Sequence, residues 1–124
     1  MPRAQFTVRA QTRFLPEQSA PEQSLYAFAY TLTIENTGDV AAQLIGRHWT
    51  IVDAAGTVQQ VSGLAVVGHQ PLLKPGERFE YTSWAQIATP RGSMRGRFLC
   101  VTDACEPFDA PVPEFALALP SALH

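Results

Sequence analysis

Residues Gln60–Val101 have the sequence QVSGLAVVGHQPLLKPGERFEYTSWAQIATPRGSMRGRFLCV, and this stretch indicates the fold class. It holds five of the eight glycines and three of the ten prolines of the chain, and these residues separate apolar runs of strand length. Tight turns need such residues, because glycine tolerates positive φ and proline has a fixed φ. The stretch therefore predicts short strands that are joined by turns.

The rest of the chain continues this pattern of strands and turns. The clearest alternation of apolar and polar residues lies in Leu25–Asn36, and it places on one face the side chains of Tyr26, Phe28, Tyr30, Leu32 and Ile34. A period of two is typical of a strand that faces a core. Further strands are predicted at Gln5–Phe14, Val40–Asp53, Val58–Val61, Glu77–Trp84, Ser93–Thr102 and, as an edge strand because of its prolines, Pro107–Pro120.

The number of strands and the absence of helical periodicity predict an all-β fold. About seven strands separated by turn signals are typical of a two-sheet β-sandwich of the immunoglobulin-like or fibronectin type III-like kind. The chain lacks the widely spaced cysteine pair of antibody domains, which favours the fibronectin-like form. The length of 124 residues predicts one domain, residues 1–124, with a proline-rich tail from about residue 107.

Charge and hydropathy restrict the expected partners and location. A net charge of -2 and a pI of 5.8 give no reason to expect nucleic acid or an anionic membrane as a partner. The first residues lack the apolar segment of a secretory signal, and no apolar run is long enough to span a bilayer. We therefore expect a cytoplasmic protein without membrane insertion.

Few residues have the spacing of a metal site or a catalytic site. His48 and His69 are candidate metal ligands, but their separation matches neither H-x-H nor H-E-x-x-H. Cys100 and Cys105 lack the second pair that a structural zinc ion needs, and no G-x-S-x-G nucleophile motif is present. The sequence therefore predicts no cofactor, no metal site and no enzymatic activity.

One group of residues suits a small anion. Gly63 and Gly68 lie at the ends of a segment whose backbone amides would approach a phosphate, and Arg91, Arg95 and Arg97 supply guanidinium groups. Other interpretations stay open, because glycines also occur at bulges and turns and alternating arginines are typical of a half-exposed strand. The glycine segment does not open a helix, as a dinucleotide-binding loop would.

Three segments carry a more specific signal. They are His48-Trp49 followed by Asp53, then V-V-G-x-Q-P-x-L-x-P-G-E-x-F-x-Y-T-S at residues 66–83, and T-P-x-G-x-M-x-G at residues 89–96. In this order and at this spacing they resemble the ApaG family of bacterial proteins, from the first strand to about Val101. The resemblance fixes more than a dozen positions across two turns and three strands.

The resemblance implies a fibronectin type III-like sandwich in a small cytoplasmic protein associated with cobalt and magnesium resistance or efflux. The family has no agreed biochemical activity. Its domain also recurs in larger eukaryotic proteins, an F-box subunit and a DNA-polymerase-interacting protein, where it resembles an interaction module. Direct transport is not expected, because a transporter needs spanning segments.

The chain departs from the family pattern at two positions. The glycine-rich loop of the family usually reads G-x-G-x-x-G, and here Ala65 occupies the middle position. Its Cβ costs little at negative φ but obstructs close approach of a phosphate. Trp84 stands where the family commonly has a small residue, and a tryptophan there either fills a groove or presents a contact surface.

Two hypotheses for the function follow. The first is a non-enzymatic interaction domain that binds a protein partner through residues 66–84 and 89–97, with Gln70, Trp84 and Met94 on the partner surface. The second is a site for phosphate, pyrophosphate or a nucleotide, formed by the five glycine and arginine residues named above. An edge strand left unpaired near the tail would also permit a homodimer.

Overall fold

The computed structural model describes residues 3–119, and its regular elements are almost all strands. In chain order they are β1 (Phe6–Phe14), two short 3-10 helices (Pro16–Gln18 and Pro21–Gln23), β2 (Tyr26–Asn36), β3 (Ala42–Asp53), β4 (Val58–Leu64), β5 (Leu72–Leu73), β6 (Arg78–Ile87), β7 (Arg91–Thr102) and β8 (Pro107–Ala118). The seven predicted strands are present, and β5 adds a two-residue strand.

The strands form two antiparallel sheets. One sheet has the order β1-β2-β6, and the other has the order β4-β3-β7-β8, with β5 paired to the start of β3. This arrangement confirms the prediction of an all-β, two-sheet sandwich. The C-terminal strand β8 lies at the edge of its sheet, as its prolines predict.

The core lies between the two sheets and is rich in aromatic rings. Trp49 of β3 is at its centre, with ring centroids 5.8 Å from Tyr30, 5.7 Å from Phe98 and 6.4 Å from Phe115. The largest fully buried apolar side chains are Trp49, Phe28, Phe98, Leu32, Ile34, Leu44, Met94, Leu117 and Val66. Removal of this apolar surface from water is the main stabilising contribution.

A bulge in β3 determines which side chains face the core. The pairing of β3 with β7 shifts register between Leu44 and Gly46, so that Arg47 lies opposite Phe98, a fully buried residue. A bulge inserts one residue and thereby inverts the alternation beyond it. As a consequence Arg47 shares the inner face with Trp49, and His48 points to the outer face.

The sandwich has two lateral edges that differ. At the closed edge, β1 packs over β8: the rings of Phe6 and Phe108 meet at 5.5 Å, and the Thr12 hydroxyl donates to the Ala116 carbonyl oxygen at 3.2 Å. At the open edge, β6 lies over β4, and a hydrogen bond of 3.2 Å links the side-chain amide of Gln59 to the carbonyl of Gln86. A groove separates these two strands.

Candidate functional site

The groove at the open edge has a volume of about 540 Å³, which is within the range of small-molecule sites. Its walls come from both sheets and from the segment before β2. Most of the residues that form them are apolar, while the surface they expose is polar and apolar in nearly equal parts. The apolar and aromatic lining consists of Leu25, Tyr30, Trp49, Ile51, Val61, Trp84, Ala85, Ile87, Ala88 and Met94. The polar lining consists of Ser24, Arg47, Gln59, Ser83 and Gln86. Arg47 is the one charged residue of this set.

Backbone carbonyls and a glycine hold the Arg47 guanidinium in place. Its Nη1 donates to the carbonyl oxygens of Leu64 at 3.1 Å and of Ala65 at 2.8 Å. A Cβ on Gly63 would lie 2.9 Å from Nη1, so a larger residue at this position would require the flexible end of the Arg47 side chain to shift. The two ion pairs found within residues 3–119 are Arg78–Glu35 and Arg97–Asp109, so Arg47 has no carboxylate partner there.

The loop after β4 directs its carbonyls, rather than its amides, toward a charge. The amide of Ala65 donates to Ile45, and Val66 and His69 exchange backbone hydrogen bonds with each other. Ala65 has φ = +68°, a conformation that favours glycine. A Cβ at position 65 would cost little only at negative φ, and the observed φ is positive. Ala65 therefore carries backbone strain.

Two phenols lie between the sheets near Arg47. Burial raises the pKa of the Tyr30 phenol, while its interaction with the Ser83 side chain and the charge of Arg47 act in the opposite direction. Burial, followed by the neighbouring Tyr30, raises the pKa of Tyr81 far above its usual value. The Tyr81 hydroxyl and the Trp49 indole N–H are buried without a hydrogen-bond partner among the described residues. The two phenols therefore lie within the electrostatic influence of Arg47.

The residues predicted to bind an anion do not share one surface. Arg95 and Arg97 line a shallow depression on the outer face of the larger sheet, and Arg97 pairs with Asp109 at 3.6 Å. Arg91, at the start of β7, follows the same outward alternation. Gly63 instead faces Arg47 on the inner side of that sheet, and Gly68 lies in the following loop at φ = +80°. Binding of an anion by these five residues stays a prediction.

The three residues predicted for a partner surface have different environments. Trp84 is 61% exposed and borders the groove. The Gln70 side chain donates to the Ile45 carbonyl at 3.0 Å and so fixes the loop that follows β4. Met94 is 1% exposed, because its position in β7 directs the side chain into the core, where it forms part of the groove lining, and its part in a partner surface stays a prediction.

The candidate metal ligands lie in separate environments. His48 Nδ1 lies 2.6 Å from the Ser62 hydroxyl on the outer face of the larger sheet. The ring of His69 packs against Phe79 of the smaller sheet, with centroids 5.7 Å apart. Between residues 3 and 119 no group of three or more His, Cys, Asp or Glu side chains is arranged to hold a metal ion.

Arg47 is the functional candidate that sequence reasoning missed. In the sequence it is one of the polar residues Arg47, His48 and Thr50 that interrupt the apolar residues of β3. Simple alternation from Leu44 would place His48 inward and Arg47 outward, and only the bulge reverses this assignment. The available signal was Gly46, a glycine inside a strand, which often marks a bulge.

Comparisons with known proteins agree with the fold. The profile of the ApaG domain matches residues 16–102. Protein ApaG of Ralstonia nicotianae is 62% identical over 124 residues and covers 100% of both chains, and Protein ApaG of an Acidovorax species is 56% identical over 94% of this chain and 87% of its own. The crystal structure of the ApaA protein from Bordetella pertussis has a TM-score of 0.91 and 53% identity, covering 94% of this chain and 95% of its own. Within the described residues no helix is long and apolar enough to cross a bilayer.

Proposed function

The chain belongs to the ApaG family, and we propose that it is a non-enzymatic binding protein that contacts a protein partner through the open edge of its sandwich. The observation that carries this proposal is the distribution of exposed apolar side chains. Val58, Val61 and Leu64 of β4 and Trp84 of β6 are all exposed, and Leu64 is 73% accessible. Within residues 3–119, β1 and β8 carry no large exposed apolar residue. Val61 pairs with Trp49 on the inner face of the larger sheet, whereas Val58 pairs with Val52 on its outer face, so this apolar surface lies on both sides of the β4 edge. Exposed apolar surface along a sheet edge supports a role in binding.

The backbone of the open edge also supports binding of a protein segment. β4 and β6 are terminal strands of their sheets and contain no proline. The backbone N–H and C=O groups on the side away from the neighbouring strand are therefore available to pair with another strand. At the closed edge β8 contains Pro107, Pro111 and Pro113, which block strand addition to the larger sheet, whereas β1 has no proline and is covered on its core side by β8. An extended segment of a partner would therefore pair with β4 or β6 by β-augmentation.

The chemistry of the groove favours binding over catalysis. Its lining includes hydroxyl and amide groups and one guanidinium, but no histidine, cysteine, lysine or carboxylate. Proton transfer and nucleophilic attack usually employ one of those groups. This composition supports a non-enzymatic role.

Affinity capture tests this proposal. Immobilised wild type, Trp84→Ala and Gln11→Ala proteins would be incubated with lysate of the native host, and bound proteins quantified by mass spectrometry. Gln11 is an exposed residue of β1 and serves as the matched control. We expect a protein that wild type and Gln11→Ala retain equally and that Trp84→Ala loses at least about tenfold, which corresponds to about 1.4 kcal/mol. Equal retention by all three would contradict the proposal.

The physiological setting that we propose is cytoplasmic and concerns tolerance to cobalt and magnesium. Family membership supports this setting, through the association that the resemblance implies. The test is growth of a strain lacking the gene on graded cobalt, complemented by wild type or by Trp84→Ala. We expect wild type to restore tolerance and Trp84→Ala to fail at equal protein abundance. Full restoration by Trp84→Ala would show that metal tolerance does not depend on Trp84 at the open edge.

A further inference from the structure

A half-buried cation without an anionic partner lies inside the groove. Arg47 faces the space between the sheets, and none of the residues between 3 and 119 that line this space has a carboxylate. We infer that the groove binds a small organic carboxylate, with the carboxylate on Arg47 and an apolar body against the walls. This inference rests on the proposal that the open edge is the binding surface, and it adds the chemical class of a ligand inside the groove.

The hydrogen bonds of Arg47 leave donors available for such a ligand. A guanidinium has five N–H donors, and the two carbonyl contacts of Arg47 both use Nη1. Nη2 and Nε have no acceptor among the described residues. A carboxylate accepts two parallel hydrogen bonds from a guanidinium, which is the geometry that the remaining donors suit.

The surrounding polar groups favour the same ligand. The Ser83 hydroxyl and the Tyr30 phenol are both in the lining, and the phenol interacts with Ser83 and with the charge of Arg47. The groove therefore offers neutral hydroxyl donors beside the guanidinium to an oxygen-rich anionic group.

The charge and the walls of the groove distinguish a carboxylate from a phosphate. One cation neutralises one negative charge, whereas pyrophosphate and nucleotides bring several. The side chains of Ile51, Ala85, Ile87 and Met94 are apolar and mostly buried. Excess charge beside such walls is unfavourable because it loses its hydration. The apolar walls instead contact the hydrocarbon part of a carboxylic acid.

A matched pair of probes tests the inference on the wild-type protein. Cyclohexanecarboxylate and cyclohexanecarboxamide have the same apolar body and differ in charge. Both tryptophans of the chain, Trp49 and Trp84, line the groove, so their two indole N–H signals in ¹H–¹⁵N spectra report binding. We expect saturable shifts with the carboxylate and at least about tenfold weaker binding of the carboxamide, since a charge-assisted hydrogen bond is lost.

Variants identify the residue that binds the carboxylate group of the ligand. Arg47→Met should weaken carboxylate binding at least about tenfold, and Arg95→Gln, on the outer face, should leave it unchanged. Circular dichroism shows whether Arg47→Met is folded. If this variant does not fold, the comparison of the two probes on the wild-type protein still tests the inference. Equal binding of both probes, tighter binding of inorganic phosphate, or no shift at about 10 mM carboxylate, ten times a Kd of about 1 mM, would overturn the inference.

The test of carboxylate binding and the test of protein binding can fail independently of each other. Failure of the carboxylate to bind, with Trp84-dependent capture intact, overturns only the ligand class. Carboxylate binding with capture that is independent of Trp84 overturns only the role of the open edge in protein binding.

Discussion

The two lateral edges of the sandwich are built from strands of similar length, yet only one is sealed. At the closed edge, Phe6 and Phe108 fill the space between β1 and β8, and prolines protect β8. At the open edge, Gln59 reaches across to β6, while the guanidinium of Arg47 occupies the inner face where an apolar side chain would otherwise pack. The open edge is therefore specified by its side chains and does not result from the strand order.

The comparison also gives a physical reason for the groove to remain open. Burial of Arg47 without an anion would remove its charge from water, which is unfavourable. Two carbonyls compensate in part, and the groove keeps the remaining donors near solvent. The closed edge contains no such group, so apolar packing seals it. The closed edge and the open edge should therefore respond differently to substitution.

The largest effect is expected at the closed edge. Phe6 is 3% exposed and packs edge-on against Phe108. Phe6→Ala should lower the free energy of unfolding by about 3–5 kcal/mol, because it removes buried surface and leaves a cavity. Urea denaturation of wild type and variant measures this value. A loss below about 1 kcal/mol would mean that β1 and β8 do not seal the edge.

A pH-dependent effect is expected from Cys100, which lies in β7 opposite Phe108 near the closed edge. Burial raises the pKa of its thiol from the ordinary 9.0 to about 12, and the charge of Asp109 acts in the same direction. As the pH rises above 9, the unfolded thiol therefore ionises while the folded thiol does not. Its contribution to stability is intact below pH 9 and falls by about 1.4 kcal/mol per pH unit up to the folded pKa.

Cys100→Ala isolates this contribution. We expect the free energy of unfolding of the variant to decline less steeply than that of wild type above pH 9, by about 1.4 kcal/mol per unit. Urea denaturation at a series of pH values provides the slopes, and ionisation of Tyr30 and Tyr81 affects both proteins alike. Parallel slopes would show that the thiol is accessible to solvent and that the closed edge admits water.

A smaller effect of opposite sign is expected beside the open edge. Ala65 has φ = +68°, where a Cβ is strained and glycine is not. Ala65→Gly should raise the free energy of unfolding by about 0.5–1 kcal/mol, the relieved strain being offset in part by the greater backbone entropy of unfolded glycine. Gly63→Ala is the informative counterpart, because its Cβ would meet only the flexible end of the Arg47 side chain and should lower the free energy of unfolding by no more than about 1 kcal/mol while it shifts the guanidinium. Equal losses from both substitutions would contradict the assigned roles.

The smallest effect on stability is expected for Trp84→Ala. Trp84 is 61% exposed, so its removal should change the free energy of unfolding by no more than about 0.5 kcal/mol. Thermal and urea denaturation measure this difference, with Phe6→Ala as the contrasting aromatic substitution. A loss of more than about 2 kcal/mol would place Trp84 in the fold rather than on a binding surface.

Much of the fold follows from local patterns. The alternation in Leu25–Asn36 predicts β2 almost to the residue, and the prolines of the C-terminal segment predict an edge strand. The edge relations do not follow, because they depend on which strands of two sheets face each other. β4 extends to Leu64, beyond the predicted end at Val61, because its pairing with β3 continues through Gly63.

The candidate site was less predictable than the fold. Trp84 stood out as a large residue in an unusual place, and the structure puts it beside the groove. Arg47 did not stand out, since one bulge between Leu44 and Gly46 decides its orientation. The sequence marks Gly63 as a glycine suited to an anion, whereas in the structure it faces the guanidinium of Arg47.

Site-specific photo-cross-linking tests the central claim, that this protein binds through its open edge. A photoreactive phenylalanine analogue would replace Gln86, an exposed residue of β6 that lines the groove, or Gln11, an exposed residue of β1. Both variants would be irradiated in living cells at equal abundance, and adducts detected by size and mass spectrometry. We predict a discrete protein adduct from position 86 and none from position 11. Adducts of equal yield at both positions, or at position 11 alone, would contradict the claim.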